Sequence, residues 1–149
     1  MTTESRRIAG VLLLTLVGVE FGGYYLTRVV TGQEELTPFQ ESFARAGHGH
    51  AGVLLLLALI CLLLADVARM SGVRGRLTRL AVPAAAVLMS AGFFLSSLGS
   101  GLTAPNGLVV VLIIGAVSLG LGVISLGLAL LRSTAEVTPV GGDGAGDAR

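Results

Sequence analysis

Three side chains carry most of the chemistry available to this chain: Glu20, His48 and His50. Glu20 interrupts an otherwise apolar run. The two histidines, the only ones present, open a second run within Ala46-Gly47-His48-Gly49-His50-Ala51-Gly52. One acid and two imidazoles can bind a divalent metal, ligate haem iron through an imidazole, or exchange protons. Tyr24 lies one turn beyond Glu20 on the same helical face, where its hydroxyl can donate to the carboxylate. Ser96 and Ser97 add hydroxyls from a third apolar run. The single cysteine, Cys61, excludes an internal disulfide and a cysteine-based zinc site, and it reads as a small buried hydrophobe. The chain offers no nucleophile–base pair and no phosphate-cradling loop. An enzyme is therefore not expected unless a cofactor supplies the chemistry.

The elements that must position these groups follow from composition. Of 149 residues, 53% are hydrophobic and only 13% charged, and the mean hydropathy is +0.86. Globular chains average about 25% charged residues, so this chain cannot cover a water-facing surface. A soluble enzyme, a nucleic-acid binder and a disordered chain are excluded. Four apolar runs, at about 8–30, 46–65, 80–98 and 108–131, each reach the ~20 residues needed to cross a bilayer. Backbone polar groups within lipid must be satisfied inside the segment, so each run reads as a helix. The expected fold is all-α: a polytopic membrane protein with an antiparallel four-helix bundle in one domain, 1–132. A cleavable leader in the first run is disfavoured, because Val19-Glu20-Phe21-Gly22 is no small-x-small cleavage site.

Every basic residue is an arginine. Arg6, Arg7, Arg69, Arg74, Arg76, Arg79 and Arg132 fall on one side of the four spans, and Arg28 and Arg45 on the other. The positive-inside rule then puts both termini in the cytoplasm and the protein in the plasma membrane. The basic connection between the second and third spans also suits anionic headgroups. Thr37-Pro38-Phe39-Gln40 reads as a helix start, with a capping Thr, Pro at the first position and Gln three residues on. Residues 38–45 are expected to extend the second helix or to form a short surface helix, with Phe39 and Phe43 on one face. Arg28 is expected to pair with Glu34 or Glu35. The segment 133–149 lacks periodicity and reads as a disordered tail.

Helices in lipid associate through small residues that permit close approach. Gly115, Ser118, Gly122 and Ser125 form such a stripe on the fourth helix, Gly18 and Gly22 a pair on the first, and Ala86 and Ser90 a pair on the third. The fourth-helix stripe suits packing within the bundle; the alternative is a homodimer or contact with a partner membrane subunit. At about 1.5 Å per residue, Glu20 lies ~18 Å, His50 ~22 Å and His48 ~25 Å from the inner boundary. Ser96 and Ser97 come level with the histidines. Residues two apart on a regular helix point about 200° apart, so His48 and His50 cannot both face one point unless the glycine-rich start unwinds. His50, the deeper, is expected to face inward toward Glu20.

The His-x-His start of the second helix resembles that of haem-copper-oxidase-like membrane proteins and their small relatives. In those proteins a helix-borne histidine ligates haem, and the resemblance carries over to His48 or His50 alone; the family's histidines on other helices have no counterpart. A glutamate in the first of four helices is similar to small multidrug transporters, where that acid exchanges protons for cationic drugs. The leading expectation is therefore haem b or a divalent metal at His50 or His48, assisted by Glu20. One alternative is a proton-coupled carrier using Glu20, with Tyr24, Ser96 and Ser97 along the path. The other is a scaffold subunit without a site of its own, in which Glu20 only ties helices together.

Overall fold

A computed structural model describes residues 1–133, so all but the first residue of the tail lies outside the described residues. Four α-helices follow in order: α1 Thr3–Val30, α2 Pro38–Val67, α3 Gly72–Ser96 and α4 Val109–Arg132. All four are long and apolar enough to cross a membrane, and there are no strands among the described residues. The all-α, four-span architecture agrees with expectation, and the chain is a multi-pass membrane protein.

Helix ends show how local chemistry sets the boundaries. Thr37 and Gln40 form the full capping box, with Pro38 at the first position, so residues 38–45 continue directly into α2. Past α1, Gly32 takes the left-handed conformation at φ 72°, and Gln33 N donates to Arg28 O at 2.9 Å, closing a Schellman turn. Past α2 the same turn is made by Arg69, at φ 50°, with Met70 N donating to Ala65 O at 3.0 Å. Helix α3 starts at Gly72 rather than near residue 80. Its first two turns, with Arg74, Arg76 and Arg79, are helical, and hydropathy alone does not see a polar helical turn.

The packing is uneven. Helix α3 is central, held between α2 and α4, whereas α1 lies mainly on α2 and does not touch α4. Along the α3–α4 seam the backbones nearly meet. A methyl added at Gly92 would lie 2.5 Å from the backbone nitrogen of Leu112, and one at Gly115 2.7 Å from that of Met89. The Gly115, Ser118, Gly122 and Ser125 stripe faces α3 here: Ser118 Oγ donates to Ala81 O at 2.9 Å, and Thr78 and Ser125 hydroxyls bond at 2.8 Å.

Two polar knots close the ends. At the arginine-rich end, Arg79 is 4% exposed and bonds Asp66 Oδ1 at 2.8 Å, Ser5 Oγ at 3.0 Å and Met70 O at 2.9 Å. Thr2 N donates to Asp66 Oδ2 at 2.8 Å, so α1, α2 and α3 are tied at one point. At the opposite end, Gln40 Nε2 donates to Ser97 O and Gly99 O, and Thr37 Oγ1 to Leu102 O. Arg28 pairs with Glu34 at 2.7 Å. Start of one helix against end of the next fixes α1–α2 and α2–α3 as antiparallel.

Candidate functional site

Helix α2 runs unbroken through Gly47, Gly49 and Gly52, so the glycines do not unwind it. The two histidines consequently diverge, as the 200° offset of a regular helix requires. His50 turns toward α3. Its Nδ1 donates to Ala46 O at 2.8 Å, and its ring lies 4.9 Å from that of Phe93. Phe93 in turn meets Phe43 at 5.4 Å, and Phe43 meets Phe39 at 4.3 Å, joining the helix start to the core. Gly47 makes this close approach available, since a methyl there would lie 2.9 Å from the Phe94 ring.

His48 turns the other way, onto α1. A methyl at Gly22 would sit 3.1 Å from its Nδ1, and one at Gly23 3.4 Å from its Cε1. Glycine at two successive positions therefore seats an imidazole in the seam between α1 and α2. Among the described residues neither ring nitrogen has a protein hydrogen-bond partner, and no ion pair involves His48. The ring borders two openings. One, of about 210 Å³, lies between α1, α2 and α3 and is lined by Gly18, Gly22, Ala51, Ser90 and Phe94. The other, of about 310 Å³, lies along Gly23, Thr27 and Thr31 toward the C-terminal end of α1.

Glu20 departs from the sequence reading. It is exposed on a flank of α1 and forms no ion pair or hydrogen bond with either histidine. The reason is angular: the buried side of α1 carries Ser5, Leu12 and the contacts of Gly22 and Gly23, and Glu20 projects away from it. Tyr24 is 65% exposed and does not bond Glu20. Ser96 and Ser97 do not open onto a shared site. Ser96 Oγ donates to Gly92 O, and Ser97 Oγ to Phe93 O at 3.1 Å and Phe94 O at 3.0 Å, each bonding carbonyls of its own helix.

Among the described residues no group of three or more His, Cys, Asp or Glu side chains converges to hold a metal. The expected meeting of Glu20 with His50 and His48 does not form: His48 meets α1, while His50 turns inward onto α3 without reaching Glu20. The two clefts beside His48, of about 210 and 310 Å³, lie below and at the small end of the roughly 300–1,000 Å³ usual for ligand pockets.

The buried ion pair of Asp66 with Arg79 escaped the sequence reading, which counted Arg79 only among the charges on one side of the spans. One signal was present. Asp66 is the only acid between Glu41 and Glu136, so it sits alone among arginines. Compared with protein-family models, curated proteins and solved structures, the chain matches none of them.

Proposed function

We propose that the protein is a membrane-embedded binding module that recognises a small, mostly apolar molecule through one polar contact to His48. The reading rests on a single observation: an imidazole within the spans, seated by Gly22 and Gly23, lacks a hydrogen-bond partner among the described residues and borders a half-open apolar cleft. An unpaired polar group in an apolar medium costs free energy unless something bonds it. A ligand offering one donor, one acceptor or one coordination position would meet that need. Apolar lining from Val19, Leu55, Val87 and Phe94 suits the rest of such a molecule. Haem or metal at this imidazole would require the seam to widen and further ligands from elsewhere.

The arginine asymmetry favours the plasma membrane with both termini in the cytoplasm, which puts His48 in the outer half. The reading is tested by solvent extraction and mass spectrometry of full-length protein purified in detergent. The expected result is a small molecule near one per chain in the native protein and in His50→Ala, lost in His48→Ala. The same content in all three would reject it.

A second reading is favoured by Glu20. An ionisable side chain at depth costs about 2.5–3.5 kcal/mol on insertion scales, and this one projects outward from the helix least enclosed by the others. A second copy docked on α1 would cover it, with each Tyr24 hydroxyl facing the other chain's carboxylate. Disulfide formation between chains bearing Phe21→Cys, in a Cys61→Ala background, would follow from that arrangement. Monomer alone after oxidation in native membranes would exclude it.

A further inference from the structure

A groove runs between α3 and α4, separate from the His48 seam, with a volume of about 790 Å³. Its walls are Leu77, Ala81 and Ala84 on one side and Leu121 and Gly122 on the other, and Arg74 stands at its end. We propose that this groove holds one acyl chain of an anionic phospholipid whose phosphate rests on Arg74.

The polar groups in the groove are already engaged. Thr78 and Ser125 bond each other, and Ser118 bonds Ala81 O, so the surface offered to a ligand is hydrocarbon. That excludes a polar solute and favours an alkyl chain. Length agrees as well: from Arg74 to Ala84 the helix rises about 15 Å, half the ~30 Å hydrocarbon thickness, which is the depth of one leaflet. Charge completes the match. Arg76 pairs with Glu4 and Arg79 with Asp66, whereas Arg74 has no ion pair among the described residues. Arg74 also borders a smaller cavity of about 180 Å³ beside Ser71 and Gly75, at the level where a headgroup would lie. An arginine at the mouth of an apolar groove selects an anionic head over a zwitterionic one.

The test uses full-length protein in detergent with equal amounts of phosphatidylglycerol and phosphatidylcholine, bound lipid being counted by native mass spectrometry. Native protein should retain the anionic lipid over the zwitterionic one by about fivefold, the scale of one arginine at a membrane surface. Arg74→Gln should bring that ratio close to one. Ala84→Phe, at an exposed position that leaves the core intact, should lower occupancy by both lipids; Leu121→Trp serves if that variant does not fold. Equal retention in native protein, a preserved ratio in Arg74→Gln, or full occupancy in the filled groove would overturn the proposal. So would a several-fold rise in bound lipid when Glu136, Asp143 and Asp147 are neutralised together, because the acidic segment beyond Ser133 would then be the occupant.

Discussion

The α3–α4 seam and the α1–α2 seam both depend on glycine, and they use it for opposite ends. In the first, Gly92, Gly115 and Gly122 let helix backbones and short side chains touch, and the neighbouring hydroxyls are bonded across the seam. In the second, Gly22 and Gly23 make room for an imidazole that bonds nothing among the described residues. Small residues in a membrane helix thus mark close approach without saying what approaches. A backbone on the far side means packing. A titratable ring on the far side means a place where the fold has left something unfinished.

The largest effect should come from the point that holds the loose seam in place. Removing one member of a buried ion pair leaves the other charge unpaired and typically costs about 3–5 kcal/mol. Arg79→Ala, at a site 4% exposed, should lower unfolding stability in detergent on that scale. Protease nicking near the start of α1 should rise with it, since Thr2 and Ser5 share the Asp66 carboxylate. Arg79→Met combined with Asp66→Leu should recover much of the loss, because apolar replacement of both partners is often close to neutral. Equal stability of Arg79→Ala and the native protein would mean that the knot does not hold α1.

Next come the glycines themselves. Gly92→Leu must push α4 off α3, because the added carbon meets backbone at 2.5 Å. Overpacking of this kind costs about 1–3 kcal/mol, occasionally more. Gly22→Ala meets only a ring nitrogen at 3.1 Å, and a ring can turn. Its net cost should be near zero, because turning the ring is offset by the roughly 0.5–1 kcal/mol that Ala gains over Gly within a helix. Chemical denaturation in one detergent compares the two directly, and similar losses would erase the contrast between the seams.

Much of this architecture was legible from hydropathy and end chemistry. The spans, the capping box at Thr37 and the Arg28–Glu34 pairing all follow from rules that act within a few residues. What was not legible depends on rotation. Depth along each helix puts Glu20 near the histidines, but rise alone does not give azimuth, and Glu20 is exposed on a flank of α1. The start of α3 was misplaced for a related reason: Arg74, Arg76 and Arg79 look like loop in a hydropathy profile, while their helix is held by Arg79 reaching Asp66 and Met70 O. A contact between Asp66 and Arg79 belongs to two helices at once, and no local window contains it.

The smallest effect, and the sharpest division, lies between the histidines. His50 has its partner: Nδ1 bonds Ala46 O, and the ring packs on Phe93. His50→Ala should therefore lose about 1 kcal/mol of stability, the usual net worth of one hydrogen bond. Among the described residues His48 has no such bond to lose. His48→Ala should leave unfolding stability within about 0.5 kcal/mol in ligand-free protein, while any molecule bound at the seam should stabilise the native chain and not the variant. Stabilisation by ligand follows RT ln(1 + [L]/Kd), so the gap between native protein and His48→Ala should widen as ligand is restored and close as it is stripped. If His48→Ala instead loses as much as His50→Ala under ligand-free conditions, the imidazole is a packing element, and the glycine notch exists only to admit it.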